Sequence, residues 1–127
     1  MQDKHLFEYA VIRVVPRVER EEFINAGVIL YCAKRKFLAC SYSLNEEKIR
    51  ALCKDLDLEQ LSLNLDAINQ ICAGGSASGA IGQLDAASRF RWLTATRSTV
   101  VQCSKVHPGF CDDPSVALRR LMHDLVL

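Results

Sequence analysis

Residues 28–42 read VILYCAKRKFLACSY, two apolar runs on either side of a short basic segment. The first run spans Val28 to Ala33 and the second spans Phe37 to Tyr42. Two such runs joined by Lys34-Arg35-Lys36 predict an antiparallel β-hairpin. Because the first run contains no alternating polar residues, we expect it to be a central strand that is covered on both faces.

Another strand is predicted before the hairpin, over Leu6 to Val15, where both faces are mostly apolar. Pro16 is expected to end it, because proline lacks a backbone N–H donor. The segment from Arg17 to Asn25 is dense in charge and too long for a tight turn, which predicts a loop or a single helical turn. The residues Asn25-Ala26-Gly27 tolerate positive φ angles and are expected to lead into the hairpin.

Two helices are predicted after the hairpin. Ser43-Leu44-Asn45-Glu46 matches a capping box, in which the serine and glutamate side chains bind free backbone amides at a helix start. The apolar stripe that follows at helical spacing consists of Ile49, Leu52, Cys53 and Leu56. Asp57 is expected to cap a second helix that ends at Gly74 and Gly75, and whose stripe consists of Leu58, Leu61, Leu65, Ile68 and Cys72.

The C-terminal half predicts further elements of both kinds. They are a flexible connector over residues 74–82, a helix over Leu84 to Leu93, a fourth strand over Ser98 to Cys103, a loop at His107-Pro108-Gly109, and a last helix that begins at Asp113-Pro114. Strands come mostly before helices, which favours an α+β fold over repeated βαβ units. We therefore expect a single α+β domain over residues 1–127, with a small, mainly antiparallel sheet of about four strands and helices packed on one face.

Composition excludes several classes of function. The chain has 127 residues with a formal net charge of +1, which supplies no long-range attraction toward polyanions and makes nucleic acid an unlikely partner. No apolar run approaches the roughly 20 residues that span a bilayer, and no signal peptide is evident, so we expect a cytoplasmic protein without membrane contact. None of the six cysteines forms a C-x-x-C pair, which favours reduced, buried thiols over disulfides or a metal site.

Three stretches resemble the bacterial domain-of-unknown-function family 3037. They are Tyr9 to Leu30 (YAVIRVVPRVEREEFINAGVIL), Arg89 to Ser98 (RFRWLTATRS) and Val106 to Pro114 (VHPGFCDDP). The resemblance implies a bacterial, cytosolic origin and assigns no catalytic residue. It also implies a protein partner, with a HipA-like kinase-fold protein as the expected one.

Polar side chains in the predicted connecting segments are the candidates for a binding site, since loops on a rigid scaffold often carry function. The candidates are Glu22, Asn25, Arg97, His107, Asp112 and Asp113. If these loops lie at one edge of the sheet, Arg13, Arg97, Glu22 and Asp112 are expected to meet. They would form either an internal ion-pair network or a pocket for a carboxylate or phosphate.

Three functions remain open at this point. The leading one is a non-enzymatic binding or adaptor domain that acts through a protein partner, without a cofactor or a metal and in an oligomeric state that the sequence leaves open. The first alternative is a small hydrolase or phosphotransfer enzyme that uses the arginine and aspartate residues. The second is a nucleic-acid-binding accessory protein. Less favoured sites are a thiol nucleophile beside His107, from Cys103 or Cys111, and Mg²⁺ held by Asp112 and Asp113 with Glu19 or Glu22.

Overall fold

The computed structural model describes residues 4–127, in which five strands form one antiparallel sheet and five α-helices pack around it. The strands are β1 (His5–Val14), β2 (Ile24–Cys32), β3 (Phe37–Tyr42), β4 (Val101–Cys103) and β5 (His107–Cys111). The helices are α1 (Glu46–Leu52), α2 (Leu58–Ala73), α3 (Gly79–Gly82), α4 (Ala86–Thr94) and α5 (Pro114–Leu125), with 3₁₀ turns at Val18–Arg20 and Ser76–Ser78. The predicted α+β class and antiparallel sheet are confirmed.

The sheet is built around β1. One side of β1 pairs with β2, which in turn pairs with β3. The other side is shared by two short strands: β5 pairs with His5–Tyr9, and β4 pairs with the stretch from Ile12 to Val14. The predicted hairpin of β2 and β3 is confirmed, and β3 has the predicted bounds.

Helices cover both faces of the sheet, where the sequence had predicted one. Leu30 of β2 packs in a cluster with Leu118 of α5. Its neighbour Ile29 points the opposite way and packs in a cluster with Leu65 of α2 and Phe90 of α4. The reason is the composition of β2, whose apolar side chains on both faces require a cover on each.

The second strand begins at Ile24, earlier than the predicted start at Val28. Residues 25–27 continue the pairing with β1 through a bulge opposite Ile12 and Arg13, and they do not form a turn. Gly27 is needed there for space: an added Cβ would lie 2.5 Å from the carbonyl oxygen of Ser41. The residue with a positive φ angle in this region is instead Glu21, which follows the first 3₁₀ turn and has a φ of 57°.

Two of the three predicted helix caps are confirmed. Asp57 accepts a hydrogen bond from Gln60 N at 3.1 Å and caps α2, and Asp113 caps α5. The first helix is capped by Asn45, whose side chain accepts from Lys48 N at 3.0 Å, and not by Ser43. Ser43 still belongs to the sheet region, because its N–H donates to the carbonyl of Ala26 at 2.7 Å.

The C-terminal half differs from its prediction in three places. Residues 74–82, predicted as a flexible connector, contain a 3₁₀ turn and α3, and Gly75 N donates to Gly82 O at 2.8 Å. The predicted strand over Ser98 to Cys103 is limited to the three residues of β4. The predicted loop at His107-Pro108-Gly109 lies inside β5. Proline and glycine indicate turns on average, but proline is also accepted at the outer side of an edge strand.

Arg89 joins the end of α2 to the start of α4. Its Nη1 donates to the carbonyls of Ile71 and Cys72 at 2.8 and 2.7 Å, and its Nε donates to the carbonyl of Leu84 at 3.0 Å. Two of these carbonyls belong to the last turn of α2, where no backbone donor follows and the helix dipole favours a cation. The side chain therefore stabilises the packing of α2 against α4.

Arg89→Ala is expected to lower the free energy of unfolding by about 1.5 kcal/mol, because hydrogen bonds from a charged donor are lost and partly buried carbonyls remain unbonded. Arg91 on the same helix is exposed and reaches only Ser88 Oγ, at 3.4 Å. Arg91→Ala should change stability by less than about 0.5 kcal/mol. Urea unfolding of both variants measures the difference, and equal losses would contradict the linking role of Arg89.

The six cysteines are free thiols. Cys32, Cys72 and Cys111 are buried in the two layers of the core, as predicted, while the other three are half-buried. Two of the half-buried thiols donate hydrogen bonds: Cys103 Sγ to the carbonyl of Leu93 at 3.4 Å, and Cys40 Sγ to Asn69 Oδ1 at 3.6 Å. These side chains act as small apolar groups in the packing.

Candidate functional site

Two of the predicted site residues form hydrogen bonds that stabilise the fold. The Asn25 Nδ2 donates to the carbonyl of Leu125 at 3.0 Å, so it links β2 to the end of α5. The Arg97 guanidinium donates to the carbonyls of Trp92 and Leu93 at 2.5 and 3.5 Å and lies 4.2 Å from the centre of the Trp92 ring. These bonds satisfy the last turn of α4, which is a structural role.

The expected meeting of Arg13, Arg97, Glu22 and Asp112 does not occur. Arg13 lies at one end of β1, and Asp112 follows Cys111, which pairs with His5 at the other end. Eight strand residues separate these ends, a distance of roughly 26 Å. Glu22 is exposed and pairs with Arg20 at 2.5 Å, and this hydrogen bond lowers the pKa of the Glu22 carboxyl.

The remaining three predicted residues lie at the two ends of β5: His107 begins the strand, and Asp112 and Asp113 follow it. His107 is exposed, with its ring centre 5.4 Å from that of Tyr9. Asp113 Oδ1 accepts from the hydroxyl and the backbone N–H of Ser115, and these bonds lower the pKa of its carboxyl. The carbonyl of Asp112 accepts from Arg35 Nη1 at 3.4 Å. The structure thus places Asp112 and Asp113 side by side after β5, with His107 roughly 16 Å away at the start of the strand.

A thiol nucleophile beside His107 is disfavoured by the surroundings of both flanking cysteines. Burial raises the pKa of the Cys103 thiol to about 11. Burial also raises the pKa of Cys111, with Cys32 nearby as a second cause. A reactive cysteine needs a lowered pKa, so both thiols stay protonated and weakly nucleophilic near neutral pH.

The described residues contain neither a metal-ligand cluster nor a membrane-spanning helix. Between positions 4 and 127 there is no group of three or more His, Cys, Asp or Glu side chains arranged to hold a metal ion. The carboxylates that were considered for Mg²⁺ lie apart, since Glu22 pairs with Arg20 while Asp113 caps α5. Across the same positions, none of the helices has the length and apolar character needed to cross a bilayer.

An exposed apolar surface lies around Phe110 at the end of the sheet. Phe110 is 67% exposed, and Leu6, its register partner on β1, is 53% exposed. Val116 of α5 is the third exposed apolar side chain here. We call these three residues the Phe110 surface.

Phe110 separates two cavities. One has a volume of about 370 Å³ and lies against α5, with Phe7 at its base and Val116 at its side. The other has a volume of about 340 Å³ and is lined by Leu6 and Tyr31 among others. Concave apolar spaces on both sides of a protruding aromatic ring are suited to receive side chains of another protein.

The outer edge of β5 is poorly suited to pair with a further strand. Ser104 N donates to Val11 O and Val15 N donates to Val100 O, so odd-numbered residues of β1 bond toward β4 and β5. In that register Pro108 and Phe110 direct their backbone groups outward. Because proline has no N–H, Pro108 weakens this edge as a template for strand addition. Contacts at the Phe110 surface must therefore come mainly from side chains.

Phe110, Leu6 and Val116 are not among the residues predicted from the sequence. The predictions favoured polar residues in connectors, and the loop predicted at His107-Pro108-Gly109 excluded the strand that exposes Phe110. One signal in the sequence could have indicated an edge strand here. Proline is accepted at the outer side of an edge strand, and Pro108 lies in a short run that ends in Phe110-Cys111.

Comparison with known proteins gives a family and no activity. No curated protein matches the chain, and no solved structure does. The sequence pattern of one family, described as "Protein of unknown function (DUF3037)", matches residues 9–126. The matched range includes β5, Phe110 and the whole of α5. The chain therefore belongs to the DUF3037 family.

Proposed function

We propose that this protein is a non-enzymatic adaptor that binds a protein partner through the Phe110 surface. The observation that carries the proposal is the exposure of Phe110 between two apolar cavities. Aromatic side chains that fill or flank pockets contribute most of the energy in many protein interfaces. A large ring kept in water has no benefit for the stability of the isolated domain, so a covering partner explains its position.

The charges around this surface support a protein partner over a substrate. Lys4 and Arg120 line the larger cavity together with Asp112 and Asp113. Asp113 is already engaged as a helix cap. A rim of both signs around an apolar centre is the usual arrangement of a protein interface, whereas an enzyme site needs polar groups that converge on one reacting atom.

The partner in this proposal is a folded protein that inserts apolar side chains beside Phe110. The HipA-like kinase-fold protein implied by the family resemblance is the first candidate, in a bacterial cytoplasm. The mixed charges of Lys4, Arg120 and Asp112 disfavour a polyanion such as nucleic acid, which requires a surface of one sign.

Affinity capture from the native host tests the proposal with the tagged chain and two variants. Phe110→Ser is expected to weaken capture of a stoichiometric kinase-fold partner by at least about tenfold, because a central aromatic contact is lost. Leu63→Ser is the matched control: Leu63 is 58% exposed on α2, away from this surface, and its variant should retain the partner.

Three outcomes would contradict the proposal. One is a partner that Phe110→Ser retains in full, and another is equal loss with both variants. The third is a dimer of the chain itself in gel filtration that Phe110→Ser converts to a monomer, since the surface would then join two copies.

A further inference from the structure

Arg13 presents a charged group with an unusual environment. Its side chain is half-buried, and its guanidinium carbon lies 4.1 Å from the centre of the Phe23 ring. The Nε atom is buried and has no hydrogen-bond acceptor among the described residues. Ion pairs within residues 4–127 do not include Arg13. Buried polar groups are nearly always bonded, so this donor and the unbonded Oδ1 of Asn25, the register partner of Arg13 on β2, both require an explanation.

Stacking on Phe23 does not satisfy the hydrogen bonds of Arg13. The ring attracts the positive charge through its face. The five N–H groups of a guanidinium point outward in its own plane, and that plane remains open beside a stacked ring. Phe23 therefore fixes the orientation of the group without occupying its hydrogen-bond donors.

A cavity of about 310 Å³ lies beside this guanidinium, and Arg13, Phe23, Ser98 and Gln102 contribute to its lining. Gln102 is the register partner of Arg13 on β4, and its Nε2 is held by the carbonyl of Thr99 at 2.7 Å. Glu21 also lines the cavity but is exposed and forms no ion pair with Arg13. The cavity thus combines one oriented cation with the Ser98 hydroxyl.

A second arginine adds positive potential. Burial raises the pKa of the Cys103 thiol, and the nearby charges of Arg97 and Arg13 both act against this effect, so both charges lie near β4. The guanidinium of Arg97 donates to carbonyls of α4, so Arg97 adds positive potential but no hydrogen bond to a ligand.

We propose that this cavity binds an oxyanion, the carboxylate or phosphate group of a small ligand. The anion accepts two hydrogen bonds from Arg13 and one from the Ser98 hydroxyl. A planar guanidinium matches both kinds of oxyanion in a bidentate geometry. Arg13 and Leu6 are separated by seven residues of β1, roughly 23 Å, so this site is independent of the Phe110 surface.

Nuclear magnetic resonance of the full chain tests the site directly, through the Nε–Hε signals of its arginines. Inorganic phosphate and succinate are titrated separately at constant ionic strength made up with chloride. The Arg13 signal is expected to shift and saturate with at least one of the two anions. Saturation with phosphate alone assigns a phosphate ligand, and saturation with succinate alone assigns a carboxylate ligand. Saturation with both assigns a site that accepts either group.

Variants distinguish specific binding of the anion by Arg13 and Ser98 from a general attraction of anions to positive charge. Arg13→Lys keeps the charge but loses the planar donors, and it should weaken binding about tenfold. Ser98→Ala should weaken it less while leaving the stacked pair intact. Arg17→Gln removes an exposed arginine and should leave binding unchanged. The proposal is wrong if the Arg13 signal of the folded protein does not saturate with either anion, or if Arg17→Gln weakens binding as much as Arg13→Lys does.

Discussion

Replacing Leu65 with alanine is expected to lower the free energy of unfolding by about 3 kcal/mol, the largest effect among the substitutions considered. Leu65 is 0% exposed and packs in one cluster with Ile29 of β2 and Phe90 of α4. The shorter side chain removes apolar contacts and leaves a cavity, because the close-packed neighbours in the cluster and the Arg89 bond to the end of α2 limit how far the helix can move in. Equilibrium unfolding in urea, followed by far-ultraviolet circular dichroism, measures the change.

Leu63 provides the control for this prediction. It lies on the same helix and has the same side chain, but it faces solvent. Leu63→Ala should alter the free energy of unfolding by less than about 0.5 kcal/mol. Similar losses at positions 63 and 65 would contradict the orientation of α2 on the sheet.

Gly27→Ala is expected to lower the free energy of unfolding by about 2 kcal/mol, through overpacking. The added Cβ would lie 2.5 Å from the carbonyl oxygen of Ser41 and 2.9 Å from the Cβ of Tyr42. Both atoms lie at the main chain of β3, which is bonded to β2 along its length and cannot move without breaking the ladder. Thermal unfolding reports the loss, and amide exchange in β3 should become faster.

Ala33→Val tests whether added volume alone accounts for that loss. Ala33 is exposed directly after β2, so two further carbons there meet solvent. We expect a change of less than about 0.5 kcal/mol. If Gly27→Ala is as stable as the natural chain, the close approach of β2 and β3 at this point is wrong.

Much of the fold followed from local patterns. The hairpin, the first strand, and the caps at Asp57 and Asp113 were predicted because each depends on neighbouring residues alone. The errors came where a distant contact decided the structure. Ser43 was not the cap of α1 because its amide is bonded to Ala26 across the sheet. The strand at β5 was missed because pairing with β1 outweighs the turn preference of Pro108-Gly109.

The candidate sites depend on properties that the sequence does not show. Chemical type drew attention to the polar side chains of predicted connectors, and two of them, Asn25 and Arg97, bond to helix-end carbonyls. The expected cluster of arginine and acid failed because β1 is long and its two ends carry different loops. The exposure of Phe110, the most exposed phenylalanine, tyrosine or tryptophan side chain of the described residues, and the unbonded Nε of Arg13 are properties of the packed chain.

Periodicity and capping residues along the chain were sufficient to determine the α+β class and most element positions, because hydrogen-bond and apolar patterns within an element repeat over a few residues. Only the tertiary structure decided that Phe110 stands beside Leu6, and that Arg13 lies over Phe23 opposite Gln102. Those contacts join segments from distant parts of the chain, and they exist only once β1 has paired with both β4 and β5.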